Sequence, residues 1–248
     1  MSHISVRGFV LRDQPVGDAD RLISVLTADH GLITAAARGA RRQKSALLAS
    51  TQIFALSQFQ LFHNRGRYTV DSADLVESFQ GLHQDIYRLI CAAHLAEVFI
   101  DLLKDDLPDK TAYELWARAA NEINSEGEPL LSIHIAQLRL LVHAGLKPPL
   151  EVCGKCHEPL STPVFFSFSE SKAYCGSGCQ SYTRGQSMCL SAGTLACLNY
   201  VFSSSLSKLF SFSLTPEIKH EVISFADRWL TMQMEKKYTK LDMLRDLE

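Results

Sequence analysis

The chain has 248 residues, a formal net charge of −2, 46% hydrophobic and 21% charged residues, and seven cysteines. These values exclude a disordered or low-complexity chain. They leave room for one or two domains with cores that need no staples, and the near-zero charge gives no sign of a nucleic-acid partner.

The first block reads as short strands. Runs at 5–12, 21–28, 32–38, 51–62 and 67–77 are β-compatible, and Pro15-Val16-Gly17, Asp29-His30-Gly31 and Asn64-Arg65-Gly66 mark turns between them. Five short strands without a long helix predict a small barrel of OB-fold size.

After about Gly81 the period becomes helical. A helix is predicted over 86–103, broken by Asp105-Asp106-Leu107-Pro108. A second spans 111–124, with Thr111 as N-cap and Glu114 completing a capping box. A third spans 130–144 and stops at Gly145 and Pro148-Pro149. Two more are predicted around 191–203 and 216–234, the last with Pro216 in its first turn.

The whole-chain charge hides a polarity. Residues 1–75 hold nine basic and six acidic residues, 76–150 hold six and eleven, and 151–248 hold ten of each. A basic front and an acidic middle suggest domains with different partners. The first residues lack the apolar run of a signal peptide, and 86–103 is interrupted by His94, Glu97 and Asp101, so no membrane span is expected. A cytoplasmic compartment with reduced thiols is the expectation.

The strongest chemical signal is Cys153-Gly154-Lys155-Cys156, followed after eighteen residues by Cys175-Gly176-Ser177-Gly178-Cys179. Two short-spaced pairs present four thiolates to one tetrahedral zinc, and four sulfurs leave no open position, so the metal would be structural. The glycines permit the tight backbone this needs. The alternatives are disulfides, or free thiols in an apolar core. His157 or Cys189 could replace one ligand. Cys91 and Cys197 fall on helical apolar patterns and read as small core residues.

Arg38, Arg41, Arg42 and Lys44 place four cations within seven residues between two predicted strands. Clustered cations on a glycine-bearing loop suit phosphate contact, and Arg65 and Arg67 add a second basic turn. The competing reading is a solvated surface loop. Among the interleaved aromatics, Phe59 shares a face with Ile53, Ala55 and Leu61 and reads as core. Phe54 and Phe62 fall on the other face as candidate stacking platforms for bases. Enzyme motifs are missing: no phosphate loop, dinucleotide fingerprint, zincin helix or nucleophile elbow occurs, so no catalysis is expected.

The order of these features carries a resemblance. Val6–Arg12, the Asp18-Ala19-Asp20-Arg21-Leu22 turn, His30-Gly31-Leu32, the Arg38–Ser45 loop, and the run from Leu138 through Gly145-Leu146-Lys147-Pro148 to Cys153 follow one another. In that order they resemble the bacterial RecO family of recombination mediators over nearly the whole chain. The resemblance implies a mixed β and α fold: an N-terminal five-stranded OB-fold barrel (1–80), then an all-α domain (81–248) with an inserted zinc-binding module at about 150–182. It implies binding of single- and double-stranded DNA, annealing of complementary strands, and help in loading RecA onto DNA coated by single-strand-binding protein. The implied partners are RecR, sometimes RecF, and the C-terminal tail of single-strand-binding protein. Carried onto this sequence, Arg38, Arg41, Arg42 and Lys44 match the family's basic loop, with Arg65 and Arg67 in support. Cys153, Cys156, Cys175 and Cys179 match its metal module, though the three-residue gap in the second pair departs from the usual two. Lys208, Lys236, Lys237 and Lys240 are candidates for the acidic tail. The other class of reading is a zinc-stabilised protein-interaction module without direct DNA binding.

Overall fold

The computed structural model describes residues 2–125, 127–176, 178–182 and 185–246. Its contacts divide the chain into two compact units: one runs to Gly127 and resumes at Lys240, the other is Glu128–Thr239.

The first unit is built on five strands, β1 (Ser2–Val16), β2 (Asp20–Thr27), β3 (Gly31–Ala37), β4 (Leu56–Asn64) and β5 (Arg67–Glu77). They close in the order β1-β2-β3-β5-β4, an OB-fold barrel in which only β3 and β5 run parallel. The long β1 makes closure possible. Its first half pairs with β4 and its second half with β2, with a shift between Val10 and Arg12 that bends the strand. Alternation sends Val6, Val10, Ile23, Val25, Ile33, Phe59 and Leu61 into one buried cluster. Gly8 lies where β1 passes from one partner to the other. A Cβ there would come within 2.4 Å of Val25 Cγ1 and 2.8 Å of the Leu26 carbonyl, so only glycine fits.

The strand predicted over 51–62 begins later, at Leu56. Residues 51–55 form turns instead, and Phe54 takes a left-handed conformation (φ 66°). Its N–H donates to the Val10 carbonyl at 2.6 Å, and its ring lies 6.0 Å from Trp116. Phe54 is therefore fully buried, which removes it as a stacking platform.

Helices α1 (Gln80–Gln84), α2 (Ile86–Leu102) and α3 (Lys110–Asn124) belong to the same unit. The α3 cap differs from the capping box expected at Thr111. Asp109 is the N-cap and accepts from Ala112 N at 2.8 Å, and Glu114 pairs with Arg118 instead. The Asp109 carboxylate, two residues upstream of Thr111, reaches the first-turn N–H of Ala112 and displaces the threonine from that role.

The second unit holds α4 (Pro129–His143), α5 (Ala192–Ser203) and α6 (Pro216–Met234), with a small sheet between α4 and α5 in the chain. That sheet, unforeseen in the sequence, has strands β6 (Val164–Ser167), β7 (Lys172–Cys175) and β8 (Ser187–Leu190) in the order β7-β6-β8. Phe166 docks it on α6, with its ring 5.1 Å from Phe225 and 5.5 Å from Trp229. Cys91 and Cys197 are buried in helices, as their patterns predict. Among the described residues, no helix is long and apolar enough to cross a membrane.

Candidate nucleic-acid interface and metal centre

The chain leaves β3 at Ala37 and enters a loop that returns at Leu56. Ala40 is fully buried and pins the loop to the barrel, while Arg38, Arg41, Arg42 and Lys44 stand exposed around it. None of the four has an acidic partner among the described residues. Two neighbouring side chains brace the loop from its ends. Asp20 Oδ1 accepts from Gly39 N at 2.7 Å, and Arg21 Nη1 donates to the Thr51 carbonyl at 2.9 Å. Arg41 N also donates to the Ala19 carbonyl at 2.8 Å. The Asp20-Arg21 pair thus acts by holding the loop. Sequence reasoning quoted it as part of the family-like turn without assigning it this role.

The parallel pairing of β3 with β5 decides where the second basic cluster falls. Ala36 is opposite Thr69. Arg38 lies two residues beyond Ala36 and Arg67 two before Thr69, on the outward face of both strands. They are about 13 Å apart along the strand direction at roughly 3.3 Å per residue. Arg65 (φ 51°) and Arg67 are exposed on the β4–β5 turn and also lack an acidic partner among the described residues. Because β3 and β5 run parallel, the loop that follows β3 and the turn that precedes β5 leave the pair at opposite ends, so the two cation clusters, more than twenty residues apart in sequence, flank one strand pair.

The aromatic side chains do not form an open platform beside these cations. Phe59 is buried in the barrel core, as its face predicts. Phe62 is half-buried with the His3 ring 5.1 Å away, and Tyr68 stacks on His63 at 4.4 Å. Of the four lysines proposed for an acidic tail, Lys240 is ion-paired with Glu97 in the first unit, whereas Lys208, Lys236 and Lys237 belong to the second.

The second unit brings four cysteines together. Cys153 begins a tight turn in which His157 N bonds the Cys153 carbonyl at 3.0 Å and Cys153 N bonds the Glu158 carbonyl at 2.9 Å. Gly154 N bonds the Ala173 carbonyl at 2.7 Å, so this turn sits on β7, whose last residue is Cys175. Gly176 then passes so close to Pro163 that a Cβ would meet its carbonyl oxygen at 2.8 Å. The four Sγ atoms of Cys153, Cys156, Cys175 and Cys179 all lie within 4.8 Å of one another. Cys175 Sγ is 3.7 Å from both Cys153 Sγ and Cys156 Sγ.

A tetrahedron with zinc–sulfur bonds of 2.3 Å has edges of about 3.8 Å, so the donor set fits that ion. The electrostatics agree with the need for a cation. Burial opposes ionisation of Cys153, but N–H donors from the backbone of Cys156, Cys175 and Lys155 outweigh it and bring the thiol down to about 6. Hydrogen bonding to Cys175, burial and the neighbouring thiols push Cys179 up to about 12. Crowded sulfurs cannot all ionise without a cation among them. The four cysteines can hold a metal, and neither His157 nor Cys189 belongs to the cluster.

Family models for the N-terminal and C-terminal domains of recombination protein O match residues 1–79 and 83–242. The chain is similar to the DNA repair protein RecO of Acetivibrio thermocellus, 32% identical over all of this chain and 98% of the relative. It is 30% identical to the DNA repair protein RecO of Alkaliphilus metalliredigens over 94% of each chain. It is also 30% identical to that of Anaeromyxobacter sp., over 89% of this chain and 87% of the relative.

Proposed function

The chain belongs to the RecO family of DNA repair and recombination proteins, and from that premise we propose that it is a non-catalytic mediator acting on single- and double-stranded DNA. On this reading residues 1–80 are the DNA-binding domain, and Arg38, Arg41, Arg42 and Lys44 hold phosphates, with Arg65 and Arg67 in support. The protein anneals complementary strands and helps load RecA onto DNA coated by single-strand-binding protein. RecR, RecF and the C-terminal tail of single-strand-binding protein are its partners.

The observation that carries this reading is the basic loop after β3, four exposed cations without an acidic partner among the described residues, with Arg65 and Arg67 likewise exposed where β5 begins. Two DNA strands repel each other through their phosphates. Cations that contact both backbones displace the condensed counterions and lower that repulsion, so affinity comes with a steep salt dependence. Mixed Arg and Lys suit this because Arg also bridges two phosphate oxygens.

Residues Cys153, Cys156, Cys175 and Cys179 would hold one structural zinc. When bound, the ion supplies a cross-link between two turns and neutralises the thiolates. The chain's own residues supply the rest: β7 positions Cys175, and the buried Tyr174 packs beside Cys153.

The second reading, a zinc-stabilised protein-interaction module, draws on Leu75 and Val76, which are 42% and 43% exposed on β5. Annealing of complementary oligonucleotides, bare and coated with the cognate single-strand-binding protein, separates the two. Acceleration in both settings supports the mediator. No acceleration and no salt-sensitive DNA binding supports the module.

A further inference from the structure

The far end of β1 carries a second concave site on the first unit. A cavity of about 250 Å³ is lined by Ser5 and Arg7 of β1, by Thr27, Asp29 and His30 at the β2–β3 turn, and by Tyr113 in the first turns of α3. Arg7 is exposed and has no acidic partner among the described residues. None of the basic-loop residues 38–44 lines it, so the cavity is distinct from that loop.

The hydrogen bonding already present shows what the cavity still offers. Thr27 Oγ1 is spent, since it donates to the Gly31 carbonyl at 2.9 Å and accepts from His30 N at 3.1 Å. The Asp29 carboxylate is 3.3 Å from Lys110 Nζ, which offsets its charge. Ser5 Oγ accepts from Gln58 Nε2 at 3.1 Å and Gln60 Nε2 at 2.8 Å, leaving its own proton to donate. The uncommitted groups are thus the Arg7 guanidinium, the hydroxyls of Ser5 and Tyr113, and the His30 ring. Arg7 and Tyr113 line the same cavity; burial raises the Tyr113 hydroxyl above its ordinary range and the Arg7 charge opposes that.

With the Asp29 carboxylate drawn toward Lys110, the guanidinium fork and two hydroxyl donors favour an anion of several oxygens. A phosphodiester continues in both directions and needs a groove along which it can run, whereas a recess of about 250 Å³ suits a group that ends there. We propose that this cavity binds a phosphate monoester, either the terminal phosphate of a DNA strand or that of a free mononucleotide. The strand-end form rests on the DNA-binding reading above. Arg7 takes the phosphate oxygens, and Ser5 and Tyr113 donate their hydroxyls to it.

The test is fluorescence anisotropy with one oligonucleotide sequence ending in 5′-phosphate, 3′-phosphate or hydroxyl. Backbone amide shifts are followed in parallel with inorganic phosphate and dAMP. Strand-end binding predicts an affinity gain on the order of tenfold for one phosphorylated end, as charge-assisted bonds give. Arg7→Gln should erase that gain while leaving the hydroxyl-ended affinity within about twofold. Tyr113→Phe, which keeps the ring against Phe9, should reduce the gain without unfolding α3. Amide shifts around Ser5–Arg7 and Asp29–His30 with dAMP, but no end preference, assign the cavity to a mononucleotide. No end preference and no shifts overturn the proposal, as does a preference unchanged by Arg7→Gln. Failure of every DNA to bind, with dAMP still shifting these amides, would sink the DNA reading and leave the cavity assigned.

Discussion

The double substitution Arg41→Ala with Arg42→Ala tests the basic loop most directly. If all six cations at positions 38, 41, 42, 44, 65 and 67 neutralise phosphates, a single strand binds with a log–log salt slope of about −4, at roughly 0.7 per contact. Removing two leaves about −3. A rise from about 50 to 200 mM salt then costs the wild type a few hundred-fold in affinity and the variant about fiftyfold. The fold should not suffer. Both side chains are exposed, and the one hydrogen bond lost is Arg41 Nη1 to the Gly17 carbonyl at 3.3 Å. Ala40, the Asp20–Gly39 bond and the Arg21–Thr51 bond still anchor the loop. Stability should therefore change by less than about 0.5 kcal/mol. The assay is anisotropy of a labelled strand across a salt series, with a thermal melt alongside. Replacing both residues with lysine should restore the slope, because counterion release needs charge rather than the guanidinium fork. A wild-type slope in the alanine variant would refute the reasoning and take the loop out of the interface.

Metal analysis of the purified protein should find about one zinc per chain, and cobalt substitution should give the absorption of a four-sulfur site. Cys153→Ser should lose the metal and unfold the module around β7, visible as new protease cleavage there; a metal-free variant with unchanged protection would show that the ion does not brace it. Asp20→Ala, which removes no cation, should still weaken DNA binding because Gly39 N loses its acceptor, at a cost of about 1 kcal/mol in the melt; unchanged affinity would show that the loop needs no brace. Burial works against ionised Glu221, but donors from Thr194 and Ser191 prevail and hold its carboxyl below the ordinary value. A lowered folded value means that its stabilisation is complete above the ordinary carboxylate range, near pH 4.3, and is lost as pH falls through the folded value. Glu221→Gln should therefore melt lower than wild type at pH 7, and the gap should close toward pH 3; a gap independent of pH would exclude the charge as its source.

The barrel was legible because its physics is local. Alternation over 21–28 and 32–38 and glycine turns at 17, 31 and 66 set strands whose observed bounds differ by a few residues. The cysteine spacing was legible for the same reason, since each short-spaced pair is a local turn. Other features were not, most because they depend on contacts between distant parts of the chain. Phe54 looked outward on a strand that its left-handed backbone ends, and Trp116, sixty residues later, buries it. Asp109 took the cap of α3 from Thr111 by geometry that a motif cannot show. The placement of Arg38 and Arg67 toward opposite ends of one strand pair follows from a parallel pairing of only two registered residues, Ala35 with Tyr68 and Ala36 with Thr69.

The loss of the stacking platforms bears on the proposed annealing itself. A single-strand binder that stacks bases on aromatic faces holds them away from their complements, and pairing must then compete with roughly 1–3 kcal/mol per stacked base. Here Phe54 and Phe59 are buried, while Phe62 and Tyr68 already contact the rings of His3 and His63. What the barrel offers DNA is charge held by backbone anchors, and charge grips phosphates while leaving base edges exposed. A protein that neutralises two backbones without capturing their bases lowers the barrier to pairing from the electrostatic side alone. The aromatic placement therefore favours annealing, because of the groups that could have competed with the complementary strand Phe54 is turned into the core and Phe62 and Tyr68 are engaged by histidine rings.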